Sequence, residues 1–121
     1  MASLDIEGDR LKLRFSTIEK IGALRSGAEV ALEDIASVEV SPSPWREAKG
    51  LRVGTGFPRA ILLGTMIRPG RNDIAAIYGK GPIVVVSLRE GAPYERLLVT
   101  VPDPEGVASR LRDALPNGVG P

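Results

Sequence analysis

The chain has 121 residues, a net charge of +1, no cysteine and no histidine. That length makes one domain, able to bury about 65% of the surface its unfolded chain would expose. The missing residue types exclude a disulfide, a thiolate nucleophile, an imidazole base and an ordinary zinc site, and with them most hydrolase chemistry. No apolar run reaches the ~20 residues of a membrane-spanning helix, and the first residues lack the basic and apolar regions of a secretory signal, so a cytoplasmic protein without a transmembrane segment is expected.

Leu4-Asp-Ile-Glu and Arg10-Leu-Lys-Leu-Arg-Phe alternate apolar with charged residues, and Gly8-Asp9 lies between them. This predicts an antiparallel hairpin with Leu4, Ile6, Leu11, Leu13 and Phe15 in the core and Asp5, Glu7, Arg10, Lys12 and Arg14 pairing across the wet face. Ser16-Thr-Ile-Glu19 is a capping box. A short helix comes next, with Ile18, Ile21 and Leu24 at i, i+3 and i+6, and Gly27 is placed to stop the element after Ser26. Glu29 to Leu32 and Ala36 to Val40 read as two short strands around Glu33-Asp34, the second with a polar face of Ser37, Glu39 and Ser41.

Ser41 to Arg59 reads as a long irregular loop, because Pro42, Pro44, Gly50, Gly54, Gly56 and Pro58 punctuate it, and such loops are often functional. It holds Trp45, the only tryptophan. From Ala60 the run Ile-Leu-Leu-Gly-Thr-Met-Ile is a strand with Gly64 marking a bulge or bend, Pro69-Gly70 is a turn, Asp73 to Tyr78 a strand, and Gly79-Lys-Gly81-Pro the next turn.

Pro82 to Leu115 organises the rest. Pro-Ile-Val-Val-Val-Ser-Leu and Arg-Leu-Leu-Val-Thr-Val form a hairpin bridged by Arg89 to Glu95. Asp103 is a good N-cap, Pro104 fits the first helical position and Glu105 suits the helix dipole. Val107, Ala108, Leu111, Ala114 and Leu115 then gather into one apolar stripe. The domain is expected over 1–115, with a flexible tail over 116–121. About eight strands, one short helix and one terminal helix predict a mainly β protein, a partly open antiparallel barrel whose end the C-terminal helix plugs. Ile83 to Val86 and Leu97 to Val99 are apolar on both faces and must be covered twice, and a second subunit joined through sheet faces or edges is the expected source of the extra cover, making a homo-oligomer.

With Leu4-Asp-Ile-Glu-Gly-Asp at the start, Gly54-Thr-Gly-Phe-Pro before a strand and Ala92-Pro-Tyr-Glu-Arg-Leu-Leu-Val-Thr-Val-Pro-Asp-Pro-Glu near the end, the order of elements resembles the bacterial pleckstrin-homology-like proteins. The resemblance covers nearly the whole chain. It implies a scaffold that hosts lipid, peptide or protein binding and does not fix which. Lipid-binding members of the wider class use a lysine on strand one and a basic-x-Arg pair on strand two. Lys12 and Arg14 match the second part, while Asp5 and Glu7 stand on strand one, so the family's headgroup site is not reproduced in full.

The charge is uneven along the chain. Arg46, Lys49, Arg52, Arg59, Arg68 and Arg71 face only Glu47 within 46–71, whereas the remainder carries ten basic and fourteen acidic side chains. Together with Trp45 this cluster is the candidate binding site, since guanidinium groups beside an aromatic can hold phosphates, carboxylates or stacked rings. Trp45 is also suited to anchoring the loop, and Tyr78 and Tyr94 read as edge or turn residues. Gly54-Thr-Gly56 resembles the opening of a dinucleotide-binding turn, but position 59 is Arg and the residues after it are β-prone. The carboxylates show no catalytic pairing, and Ser41 and Ser43 have no base to activate them. The expected function is therefore a non-catalytic binding or assembly module without cofactor or metal, acting on a protein partner or on itself. The alternative is an anion-binding module that uses the basic loop against membrane headgroups or nucleic acid.

Overall fold

Alternation in the first fifteen residues produces the expected hairpin. In the computed structural model, which describes residues 1–116, β1 (Ser3–Glu7) and β2 (Arg10–Arg14) pair antiparallel with Asp5 opposite Lys12 and Glu7 opposite Arg10. Lys12 reaches Glu7 at 3.2 Å, and Arg14 pairs with both Asp5 and Glu7. Leu11, Leu13 and Phe15 are buried and Leu4 packs half-buried against them, but Ile6 is exposed. Ile6 lies beside Leu11 on the edge strand, so one of its flanks is open to water.

Ser16 accepts from the Glu19 amide and Glu19 accepts from the Ser16 amide, which completes the capping box of α1 (Thr17–Ala23). The helix ends earlier than Ser26. Leu24 takes a left-handed conformation at the C-cap, and Gly27 instead opens β3 (Gly27–Ala31), which pairs with β2. A 3-10 turn over Leu32–Asp34 then carries the chain into β4 (Ile35–Ser41) and the second sheet.

That second sheet has six strands in the order β4-β8-β9-β7-β6-β5, comprising also β5 (Leu51–Phe57), β6 (Ile61–Arg68), β7 (Arg71–Tyr78), β8 (Ile83–Leu88) and β9 (Arg96–Val99). The two sheets do not close into a barrel. Nor is the large sheet wholly antiparallel: β8 and β9 form the expected hairpin, but β9 slots between β8 and β7 and runs parallel to β7. The expected loop over Ser41 to Arg59 is also structured, into the end of β4, a one-turn helix α2 (Pro44–Glu47) and β5. Glycine hid that strand. Gly54 and Gly64 face each other at φ +137 and +140, and a Cβ on either would overlap a carbonyl of the other strand. The register between β5 and β6 is unbroken, so Gly64 marks close approach and not a bulge,.

Alternation splits the buried residues of the large sheet between two faces. Leu63, Ile74, Ala76, Val84, Val86, Leu97 and Val99 face the small sheet and the helices, while Leu62, Met66, Ala75, Ile77, Ile83, Val85 and Leu98 form a second cluster behind them. The terminal helix α3 (Pro104–Ala114) is capped by Asp103, whose carboxylate accepts from the Gly106 amide at 3.1 Å. It lies against β4 and β8 with Ala108, Leu111 and Leu115 buried. Behind the sheet, the connection through α2 packs Trp45 and Ala48 on the second cluster. The chain thus covers both faces of β8 and β9 itself, and no second subunit is needed there. Of the expected tail only Pro116 is described; 117–121 lie outside the described residues.

On the other side of the large sheet, α1 lies against β5 and β6. Its buried face carries Glu19, whose carboxylate accepts from the Tyr78 hydroxyl. Burial pushes the Glu19 pKa up, but hydrogen bonds from the Ser16 amide and Tyr78, and the charge of the N-terminal amine, outweigh it and hold the group below its ordinary value. A lowered carboxylate pKa stabilises the fold above the ordinary value, and that contribution is lost as pH falls through the folded value. Glu19→Gln is expected to cost about 1–3 kcal/mol near neutrality, read from urea unfolding by the fluorescence of Trp45. The gap between variant and wild type should narrow on acidification to about pH 3. A gap unchanged with pH would remove Glu19 as the source.

Candidate functional site

The seven residues singled out in the sequence separate into three places. Arg46, Lys49, Arg68 and Arg71 rim one shallow depression of about 180 Å³, together with Glu47, Glu95 and Arg96. Arg52 lies apart, on a groove of about 350 Å³ shared with Trp45, Phe57, Leu62 and Met66. Arg59 occupies the β5–β6 turn at φ +63 and lines neither. Trp45 donates its indole N–H to the Gly79 carbonyl at 2.8 Å, so it pins the β4–β5 connection to the β7–β8 turn.

Most of the depression's charge is already paired. Asp73, fully buried, accepts from Arg68 at 3.1 Å and Arg96 at 2.8 Å, both at Oδ2. Arg96 also donates to the Glu47 carboxylate at 2.8 Å and to the Glu47 carbonyl at 2.7 Å, and Ser41 donates to the same carboxylate at 2.9 Å. Arg71 pairs with Glu95 at 3.1 Å. Burial pushes the Arg96 pKa down, and the hydrogen bonds and charges of Asp73 and Glu47 more than reverse it. Arg96 of β9 therefore acts first as a clamp that holds α2 to the back of the sheet, while Arg68 of β6 and Arg71 of β7 are held by Asp73 and Glu95. Arg46 and Lys49, exposed on and just after α2, have no carboxylate partner among the described residues.

Gly54-Thr55-Gly56 sits in the middle of β5 and opens no helix, so no pyrophosphate cradle exists there,. Among the described residues no group of three or more His, Cys, Asp or Glu side chains could hold a metal ion, and no helix is long and apolar enough to cross a membrane. Tyr94, before β9, meets Arg25, which donates to its hydroxyl at 2.6 Å and lies 5.1 Å from the ring centre. That contact ties the α1–β3 connection to the β8–β9 loop.

A second surface carries no sequence motif. Ile18, Ile21 and Leu24 are 81%, 71% and 71% exposed, on the outer side of α1. The inner side is Glu19, Gly22 and Ala23, and the Gly22 carbonyl accepts from Thr55 on β5 at 2.7 Å. A Cβ at Gly22 would stand 3.2 Å from Thr55 Oγ1 and 3.5 Å from Leu63, so the helix rests directly on the strand. On β5, alternation puts Leu51, Val53 and Phe57 on the face of Thr55, where they are exposed, as is Ile67 opposite Leu51; Leu51 and Phe57, at the ends of the strand, also border the groove of Trp45,. Exposed apolar side chains of helix and strand thus lie on either side of the Gly22–Thr55 contact. One signal in the sequence points here: a capping-box glutamate and two small residues at i, i+3 and i+4 form the other side of the same short helix.

Comparison with protein-family models, with curated proteins and with solved structures finds no match in any of the three.

The buried ion cluster yields a sharp test. Arg96→Met strands Asp73 without its closest partner and should cost about 3–5 kcal/mol, whereas Asp73→Leu combined with Arg96→Met should recover much of the loss, because paired buried charges are often replaceable by apolar groups. Urea midpoints of the two variants measure both effects. Equal loss in the single and double variants would mean that the cluster stabilises beyond charge pairing.

Proposed function

We propose that the chain is a non-catalytic binding and assembly module on a pleckstrin-homology-like plan, and that its working surface is the α1–β5 side. One observation carries this reading: a helix of seven residues and its C-cap turn three large apolar side chains, Ile18, Ile21 and Leu24, to solvent and keep a glutamate inside. Each such side chain gains about 1.5–3 kcal/mol on full burial, and contiguous apolar patches on monomers are often functional. Association is expected from the sequence through sheet faces or edges; the back face of the sheet is covered by Trp45 and Ala48, and on this reading the α1–β5 side takes that role. On this reading Asp73 and Glu47, held by arginines, have a structural role.

Light scattering after size exclusion tests it. The wild-type chain, 12.9 kDa as a monomer, should elute above that mass at high concentration. Ile18→Glu with Ile21→Glu should return it to the monomer while changing stability by no more than about 0.5 kcal/mol, as exposed positions do. A wild type that stays monomeric at every concentration defeats the self-association reading.

An anion-binding reading is favoured by one further observation: Arg46 and Lys49, without a carboxylate partner among the described residues, stand beside Arg68 and Arg71 on a common depression. Membrane headgroups or nucleic acid are the anions of that class. Retention on anionic vesicles or nucleic acid should then fall steeply with salt and drop again in Arg46→Ala with Lys49→Ala, the two lost cations lowering the salt slope on nucleic acid by about 1–2. Retention indifferent to salt, or none, leaves the assembly reading alone.

A further inference from the structure

β5 is the outermost strand of the six-stranded sheet, and among the described residues no strand pairs with its free side. Exposed edges of this kind pair with other strands unless charge, proline or cover prevents it. Of the other three edges, β3 is short and carries Glu29 in ion pairs with Arg10 and Lys12. β1 carries Asp5 and Glu7 in ion pairs with Lys12 and Arg14, and β4 lies under α3, whose Arg112 donates to the Val38 carbonyl at 2.8 Å. Along its seven residues β5 has Arg52 as its single charge and no proline. Apolar surface flanks it on both faces. Ile18, Ile21 and Leu24 of α1 lie on one side, and the groove of Trp45, Leu62 and Met66 on the other.

We infer that β5 pairs antiparallel with β5 of a second copy, centred on Gly54, joining two six-stranded sheets edge to edge. This rests on the assembly reading and names its partner and geometry. Three features single out a second copy. A two-fold pairing that keeps each face continuous must be centred on a residue, because antiparallel partners share a face and side chains alternate with period two. Gly54 is the middle of the strand, so all seven residues find partners. Leu51 then opposes Phe57 of the other copy and Val53 opposes Thr55, while Arg52 opposes Gly56, so the two arginines never face each other as like charges. Leu51 and Phe57, 70% and 71% exposed in the single chain, become an apolar cross-strand pair at each end.

Area comes close to what a stable pair needs. Seven apolar side chains of α1, its C-cap, β5 and β6 (Ile18, Ile21, Leu24, Leu51, Val53, Phe57 and Ile67) are exposed. At roughly 60–120 Å² each when fully buried, and allowing for the part already covered, they offer roughly 270–530 Å² per copy and roughly 500–1,100 Å² for the pair, against the ~1,000 Å² of a stable interface. Backbone hydrogen bonds along the edge add to that.

The absence of native cysteine makes the register testable. Leu51→Cys and Phe57→Cys are prepared separately, mixed, and oxidised mildly. Paired residues on adjacent strands lie about 4.5–5.5 Å apart, within disulfide reach, whereas Leu51 and its own copy would lie roughly 20 Å apart at about 3.3 Å per residue. A cross-linked dimer is expected in the mixture and not in either variant alone. A wild-type dimer by light scattering whose mixed variants do not cross-link overturns the β5 pairing and leaves assembly through another surface. Cross-linking equally strong in each variant alone shows random collision or another register, and also overturns it. A strict monomer, or a partner strand from an unrelated protein displacing the pair, defeats the second copy as occupant.

Discussion

The structure depends on burying both faces of its central strands. β8, β9 and the middle of β7 read Ile-Val-Val-Val, Leu-Leu-Val and Ile-Ala-Ala-Ile, so each has apolar side chains above and below the sheet. A strand of that composition cannot sit at a wet surface, and the chain supplies cover twice. The small sheet with α1 and α3 closes one face. The other is closed by a short segment, Trp45 to Ala48, placed between β4 and β5 at opposite edges of the sheet. A connection forced to cross the whole sheet passes over the back in any case, and here it carries the residues that seal it.

So short a segment cannot seal a six-stranded sheet by apolar contact alone. The cluster of Asp73, Arg96, Arg68, Glu47 and Ser41 fills the rest of that face and fixes α2 in position. This explains why the basic residues concentrated in 46–71 do not all serve one ligand. Arg68 is committed to Asp73, Arg71 to Glu95, and Arg52 folds its stem along Gly56. Charge asymmetry along a chain marks a binding surface only when the charges lack internal partners, and partners here come from strands distant in sequence.

Local chemistry is legible in the sequence and long-range pairing is not. The first hairpin, the capping box of Ser16 and Glu19, the β8–β9 hairpin and the Asp103 cap each rest on residues a few positions apart, and each forms as expected. The position of β9 between β7 and β8 depends on which apolar strand fills the centre of the sheet, and Leu97-Leu98-Val99 gives no sign of that beyond being apolar twice over. β5 is hidden for a different reason: its glycines, which read as loop, permit the tight approach of Gly54 to Gly64 that the strand pair requires. Trp45 reads as an anchor and is one. The apolar side of α1 is visible as Ile18, Ile21 and Leu24, but spacing alone does not say which way a short helix rolls.

That roll is decided by polar groups. Glu19 must reach back to the Ser16 amide to close the capping box, which fixes its side chain on the inner face, where Tyr78 at the end of β7 donates to it. Gly22 and Ala23, lacking bulk, let the same face settle on Thr55 and Leu63. With that side committed, Ile18 and Ile21 can point only outward, next to the open edge of β5. Turning the helix to bury its isoleucines would strand the Glu19 carboxylate and push branched side chains into the space that Gly22 leaves at β5. The apolar surface beside the unpaired strand is therefore a consequence of how the helix is held, and it persists in the single chain until another surface covers it.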